Sequence, residues 1–324
     1  MTGVRARMIE EILAKAISLG ASDVHIRAGQ PALFRIHTEI VSSGLPPLGS
    51  EATQEMARRL MGEERWKEFL VRRDADFSIQ TTSSGRFRVN AHFQRGAVAL
   101  AIRTVSPRVR MLKELYLPET IEKFTHLPRG LVLVTGPAGS GKSTTLAAMA
   151  EEINRREARH IITLEDPIEY ELTSDRCYIE QREVGADVPD FAAGLRHALR
   201  QDPDVILLGE MRDLETISAA ITSAETGHLV LSTLHTVNAA QTIERIVDVY
   251  PSGQQGQVRS MVAGTLQAVV SQTLLKRSDE PGMIPAVEIM ICTPAVRNCI
   301  RENRIFEIPS IIETSRAVGM QSLD

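Results

Sequence analysis

At residues 131–135 an apolar strand-like run, Leu-Val-Leu-Val-Thr, leads directly into Gly136, Pro137, Ala138, Gly139, Ser140, Gly141, Lys142 and Ser143, and a helical pattern follows over 143–155. The turn fits GxxxxGK[ST], and a strand before it with a helix after it is the context that turns this pattern into a phosphate-binding loop. Glycines let consecutive backbone N–H groups face inward on phosphate oxygens, and the helix N-terminus adds positive potential. Lys142 reaches the β- and γ-oxygens, and Ser143 offers its hydroxyl to Mg2+. The nucleotide expected is ATP with Mg2+.

Further apolar runs at 160–164, 205–208 and 229–234 alternate with helical stretches, as strands buried on both faces do. The second part of the chain is therefore expected to be α/β with a largely parallel sheet, whose carboxyl edge carries the ligand. Two acids stand at that edge. Glu210 follows the run 205–208 after Gly209, one position beyond the usual strand-end Asp, where its longer side chain suits polarising water better than ligating metal tightly. Glu165 follows 160–164 and is expected to reach Mg2+ through water. His235, at the end of 229–234, is placed to sense the γ-phosphate; His228, at its start, either shares that role or holds a turn with Gly227. Beyond about residue 239 the pattern reads as mostly helical, with a long helix over 258–275 and shorter ones at 294–301 and 310–318.

The chain has 324 residues, enough for two domains. Residues 1–105 read as a separate α+β domain: a first helix, a hairpin turning at 28–31, one or two helices over 50–70, and strands at 76–79, 86–93 and 97–105. A proline-marked connector is expected over 106–130, and the ATP-binding domain over 131–324. A net charge of −4 and 4% aromatic residues disfavour nucleic acid as a partner. Cys177, Cys292 and Cys299 form no CxxC pair, which favours a reducing compartment and packing roles. No apolar run approaches a bilayer-spanning length, so a cytoplasmic protein without direct membrane insertion is expected.

The blocks GPAGSGKSTT, IITLEDPIEY, DPDVILLGEMRD and TGHLVLSTLHT, in this order, resemble the secretion-type ATPases. ASDVHIRAGQP, QREVGADVPDF, RIVDVYP, SQTLLKR and PAVRNCIREN are similar to the branch that powers type IV pilus retraction and twitching motility. The resemblance covers nearly the whole chain. It implies a PAS-like N-terminal domain, a RecA-like P-loop ATPase domain with a small C-terminal helical part, and a homohexamer. It also implies attachment to the inner membrane through a pilus platform protein.

By motif match, Lys142, Ser143 and Thr144 bind nucleotide and metal, Glu165 belongs to an acidic box, Glu210 is the catalytic glutamate, and His228 and His235 form a histidine box. Arg88 and Arg103 match N-terminal-domain arginines that approach the γ-phosphate. PAVRNCIREN matches a motif associated with retraction, with Cys299 in place of the usual Leu. An assembly or type II secretion ATPase and a regulatory nucleotide-binding subunit are the alternatives; the missing tetracysteine zinc insertion counts against the former, and the intact Lys142 and Glu210 count against the latter.

Overall fold

Alternation along the first hundred residues builds a sheet with one face covered. The computed structural model describes residues 2–36, 39–81, 85–105, 108–279 and 282–323, with side chains from Met8 onwards. It divides into two units, Met1–Pro107 and Arg108–Asp324. The first holds α1 (Thr2–Ser18), β1 (Asp23–Ile26), β2 (Leu33–Ile36), β3 (Glu39–Ser42), α2 (Ser50–Arg72), β4 (Asp74–Thr81), β5 (Gly85–Gln94) and β6 (Ala97–Thr104). Strand order is β3-β2-β1-β6-β5-β4, with antiparallel neighbours throughout.

Phe87, Val89 and Ala91 of β5 are buried with Leu100 and Ile102 of β6, against Ile12 and Leu13 of α1 and Met56 and Phe69 of α2. The intervening residues of β5 stay partly exposed, as period two requires. The stretch expected as one or two helices is interrupted at Gly62, where φ is 75° and a side chain would be strained.

The second unit contains α3 (Glu119–Phe124), β7 (Gly130–Thr135), α4 (Lys142–Arg156), β8 (His160–Glu165), β9 (Tyr178–Glu183), α5 (Phe191–Ala198), β10 (Val205–Leu208), α6 (Leu214–Glu225), β11 (Leu229–Leu234), α7 (Ala239–Asp248), α8 (Gln255–Thr265), β12 (Leu266–Lys276), β13 (Met283–Ile291), α9 (Pro294–Arg301) and α10 (Ile308–Thr314). The sheet order is β13-β12-β7-β11-β10-β8-β9. All neighbours are parallel except β12 and β13.

Every residue of β7, β10 and β11 is buried. Alternate side chains go to two separate cores: Leu131, Leu133, Ile206 and Val230 pack on one face with α6, α8 and α9, while Val132, Val134, Val205 and Leu231 pack on the other with α3 and α4. Burial of such side chains contributes about 1.5–3 kcal/mol each relative to exposure, which makes this sheet a stiff platform for the loops at its carboxyl edge.

Three expectations need correction. The run 258–275 is not one helix: α8 ends at Thr265 and β12 begins at Leu266. A continuous apolar run has no period that separates a buried helix from a buried strand, and pairing with β7 on one side and β13 on the other decides for the strand. β13 was hidden by Pro285, which an edge strand tolerates because one side of its backbone needs no partner. From Arg108 onwards, the stretch expected as a connector belongs to the second unit, where Leu112, Leu117, Ile121 and Phe124 share a core with Val132 and Val134.

The three cysteines are free and buried, and burial pushes the Cys292 thiol up to about 12. They act as small apolar side chains. Among the described residues no helix is long and apolar enough to cross a membrane.

Candidate functional site

β7 stops at Thr135 and the chain turns sharply at Gly136, whose φ is 145°. A Cβ there would lie 2.1 Å from the Gln272 carbonyl oxygen, so glycine is required by both conformation and space. Pro137, Ala138, Gly139, Ser140 and Gly141 complete the turn, and Lys142, Ser143 and Thr144 form the first residues of α4. Lys142 Nζ donates to the carbonyls of Gly136 and Pro137 at 2.9 Å each, which holds the ammonium inside the loop. Burial lowers its proton affinity below the usual lysine value, and the charge of Glu210 opposes that shift.

The parallel sheet brings the ends of β8, β10 and β11 alongside this loop. A pocket there is lined by Ala138, Gly139, Lys142 and Ser143 and, facing them, Glu165, Glu210 and His235. Glu210 Oε2 lies 3.2 Å from His235 Nε2, and Glu210 Oε1 lies 2.7 Å from Arg212 Nη2. Thr233 Oγ1 donates to the Gly209 carbonyl at 2.7 Å, which steadies the backbone next to Glu210. A carboxylate held on both oxygens and facing a lysine across a phosphate loop is placed to accept a proton from water.

Glu165 is held differently. Its Oε1 accepts from Thr163 Oγ1 at 2.7 Å and from Gln181 Nε2 at 3.0 Å, and its Oε2 accepts from the Glu169 backbone N–H at 3.4 Å. Burial nonetheless pushes its carboxyl above the usual range, with the Glu169 charge adding to the rise against those hydrogen bonds.

The remaining expected residues are placed as follows. Gly136, Pro137, Ser140, Gly141 and Thr144 lie outside the lining of this pocket; Gly141 and Thr144 face a neighbouring cleft with Tyr116, Gln272 and Arg277. Thr144 Oγ1 is 2.8 Å from the Tyr170 hydroxyl, which borders the main pocket. His228 is not brought to the loop within its own chain. It precedes β11 at the opposite edge of the sheet, where Nδ1 lies 2.9 Å from the Ser223 carbonyl; a six-residue strand separates it from His235, roughly 20 Å at the usual rise. Arg88 and Arg103 belong to the first unit, on β5 and β6, and Arg103 Nε donates to Asp23 Oδ1 at 3.0 Å.

Three residues around the site were not anticipated. Arg212 had a signal, a cation two positions after Glu210. Tyr170 had none beyond its nearness to Glu165. Gln272 was concealed by the reading of 258–275 as a helix; on a strand it stands out as an amide on the same face as Ala268 and Val270.

Fold and site together define a mixed α/β protein with a phosphate-binding loop. The profile of the Type II/IV secretion system protein family matches residues 2–308, and the chain belongs to that family. It is 47% identical over 316 residues, 98% of this chain and 92% of the relative, to the type IV pilus retraction ATPase PilT of Pseudomonas aeruginosa. It is 48% identical over 292 residues to a twitching motility protein of Neisseria gonorrhoeae, covering 90% of this chain and 78% of that one. The crystal structure of a pilus retraction motor, PilT, with bound ADP superposes with a TM-score of 0.88 at 43% identity, covering 97% of this chain and 94% of that one.

Proposed function

We propose that this protein is an ATP-hydrolysing motor that retracts type IV pili, returning pilin subunits to the membrane and so driving twitching motility. The observation that carries the reading is the single pocket in which Lys142 and Ser143 of the phosphate loop face Glu210, Glu165 and His235, in a chain 47% identical over nearly its whole length to a retraction ATPase. In this reading the first unit is the PAS-like domain, the second is the RecA-like domain, and six copies form a ring. The ring works at the cytoplasmic side of the inner membrane against a pilus platform protein, and nucleic acid has no part in it.

The loop N–H groups and Lys142 bind the β- and γ-phosphates of ATP. The donor set fits Mg2+, which binds few protein ligands besides phosphates and water: the Ser143 hydroxyl would ligate it and Glu165 would act through water. Bound there, the metal would supply positive charge to the phosphate oxygens. Glu210 orients and deprotonates the attacking water, His235 and Arg212 fix the carboxylate, and His235 is near enough to register loss of the γ-phosphate. His228 contributes through the turn before β11. In this reading Arg88 and Arg103 are arginines that act on the γ-phosphate.

Deleting the gene and scoring surface filaments tests the reading. Retraction predicts excess pili and no twitching, restored by the wild-type gene and not by Lys142→Ala. A strain without pili would instead assign the protein to assembly, and rescue by Lys142→Ala would assign it a role that needs no hydrolysis.

A further inference from the structure

We infer that Gln272 is a positioning residue for nucleotide binding: from β12 its amide clamps the phosphate loop to the first turn of α4 and sets the loop's binding-competent shape. The inference rests on the nucleotide-binding reading above and goes beyond it, because Gln272 lies 130 positions away from Lys142, outside the four nucleotide-binding blocks and within the block SQTLLKR, whose residues that reading gave no role at the site.

β12 runs parallel to β7 with Ser271 opposite Thr135, and their hydroxyls meet at 3.0 Å. β7 ends there and the chain leaves for the loop, whereas β12 continues to Lys276. Gln272 is thus the residue that meets the loop where the sheet can no longer guide it. It is 5% exposed, and both ends of its amide are used. Nε2 donates to the Ser140 carbonyl at 2.6 Å, and Oε1 accepts from Thr145 Oγ1 at 2.8 Å. The Ser140 carbonyl can only accept, which fixes the amide's orientation.

The same residue accounts for two of the loop's glycines. A Cβ at Gly136 would lie 2.1 Å from the Gln272 carbonyl oxygen, and a Cβ at Gly141 would lie 2.7 Å from Gln272 Nε2. The backbone of Gln272 therefore dictates the entry to the loop and its side chain dictates the exit. A loop whose N–H groups must converge on phosphate loses affinity when either end relaxes, because ordering it again opposes binding.

Gln272→Glu and Gln272→Met separate this role from bulk packing. The charged groups around the position are Lys142 on α4, Arg110 and Glu114 before α3, Arg277 beyond β12 and Glu288 on β13, so each affinity is taken as a ratio to wild type at the same pH. With a fluorescent ADP analogue and Mg2+ on the full chain, Gln272→Met should bind roughly tenfold or more weakly, from the unpaired Ser140 carbonyl and Thr145 hydroxyl. Gln272→Glu should bind weakly at about pH 8, where a carboxylate meets the Ser140 carbonyl, and its ratio to wild type should recover towards one as the pH falls to about 4, into the ordinary glutamate range, and a donor returns.

A purely structural role predicts no such recovery in the ratio. Should Gln272→Met fail to fold, the pH series on Gln272→Glu still decides. Affinities within twofold of wild type in both variants, or a Glu ratio flat with pH, overturn the inference. Lys142→Ala run alongside keeps the two readings apart. Normal nucleotide binding by that variant removes the phosphate-loop reading itself, whereas lost binding there with normal binding by both Gln272 variants removes only the clamp.

Discussion

Glu210 and Glu165 sit in one pocket, yet their surroundings prepare them for different work. Glu210 has cationic or polar partners on both oxygens, Arg212 and His235, and neither opposes its charge. Glu210→Gln keeps the shape and removes the base, so nucleotide affinity should stay within a few-fold of wild type while kcat falls by about 10² or more. Single-turnover hydrolysis beside a binding titration checks this, and unimpaired turnover would move the role to Glu165.

For Glu165, burial raises the carboxyl above its ordinary value. The folded protein then holds that proton to higher pH than the unfolded chain does, and stability is lost as pH rises from the ordinary glutamate range through the raised folded value. Glu165→Gln retains an acceptor for Thr163 and Gln181 without the charge. Thermal melts should show the variant at least as stable as wild type near neutral pH, with the difference closing at about pH 4, while ATP hydrolysis declines. A variant less stable than wild type at neutral pH would mean that the ionised carboxylate is a net support of the fold.

Elements were legible where an apolar or alternating run is short and bounded by turn residues, and obscure where an apolar run continues without a break from a helix into a strand. β7, β10 and β11, buried on both faces, announce themselves as short apolar runs, and the phosphate loop follows from the first of them. The β12–β13 pair does not, since 266–271 is as apolar as a buried helix and β13 contains a proline, and the clamp on the loop was lost with it. His228 was left between two roles for a related reason: a strand's two ends look alike in sequence, but the carboxyl end of a parallel strand is the one that faces the ligand within its own chain.

α9 shows the same division within one helix. Val296, Cys299 and Ile300 are core, and Arg297 donates from Nη1 to the Ala263 and Gly264 carbonyls and from Nη2 to Gln267 Oε1 at 3.0 Å, capping α8 where it meets β12. Cys299 in place of the branch's usual Leu is therefore a packing matter. Arg297→Ala should lower stability by about 1–3 kcal/mol through those unpaired carbonyls, readable in a denaturant titration. Replacing only the exposed Asn298, Arg301 and Glu302 should spare folding and hydrolysis and remove twitching; hydrolysis lost with them would tie this face to the chemistry instead.

At the scale of the whole molecule, the first unit carries a charge problem of its own. In the first, Arg35, Asp23, Arg103 and Arg88 occupy successive strands at directly opposed positions on the sheet's outer face. Like charges so placed oppose each other across a strand pair, and a single Asp stands among three arginines. Burial works against ionising Asp23, but the Ser22 hydroxyl, the Arg103 guanidinium and the nearby His25 outweigh it and hold the carboxyl below its ordinary range. Arg103 has a side chain 63% exposed although it is tied to Asp23.

Pairing with Asp23 ties part of this row into its own sheet; in the proposed reading an arginine presented to a γ-phosphate would also stabilise charge that develops only in the transition state, a contribution of order 10³ or more in rate. Arg88→Ala and Arg103→Ala should bind ATP like wild type, assemble to the same mass and lose most turnover, and a solvated strand face with no such role predicts stability within about 0.5 kcal/mol and unchanged hydrolysis. Arg103→Ala also removes one of the partners that hold Asp23 below its ordinary range, so its acid-side melt should shift while that of Arg88→Ala need not. Measuring nucleotide affinity, hydrolysis and assembled mass on both variants separates the roles, and normal turnover in each would remove these arginines from the mechanism.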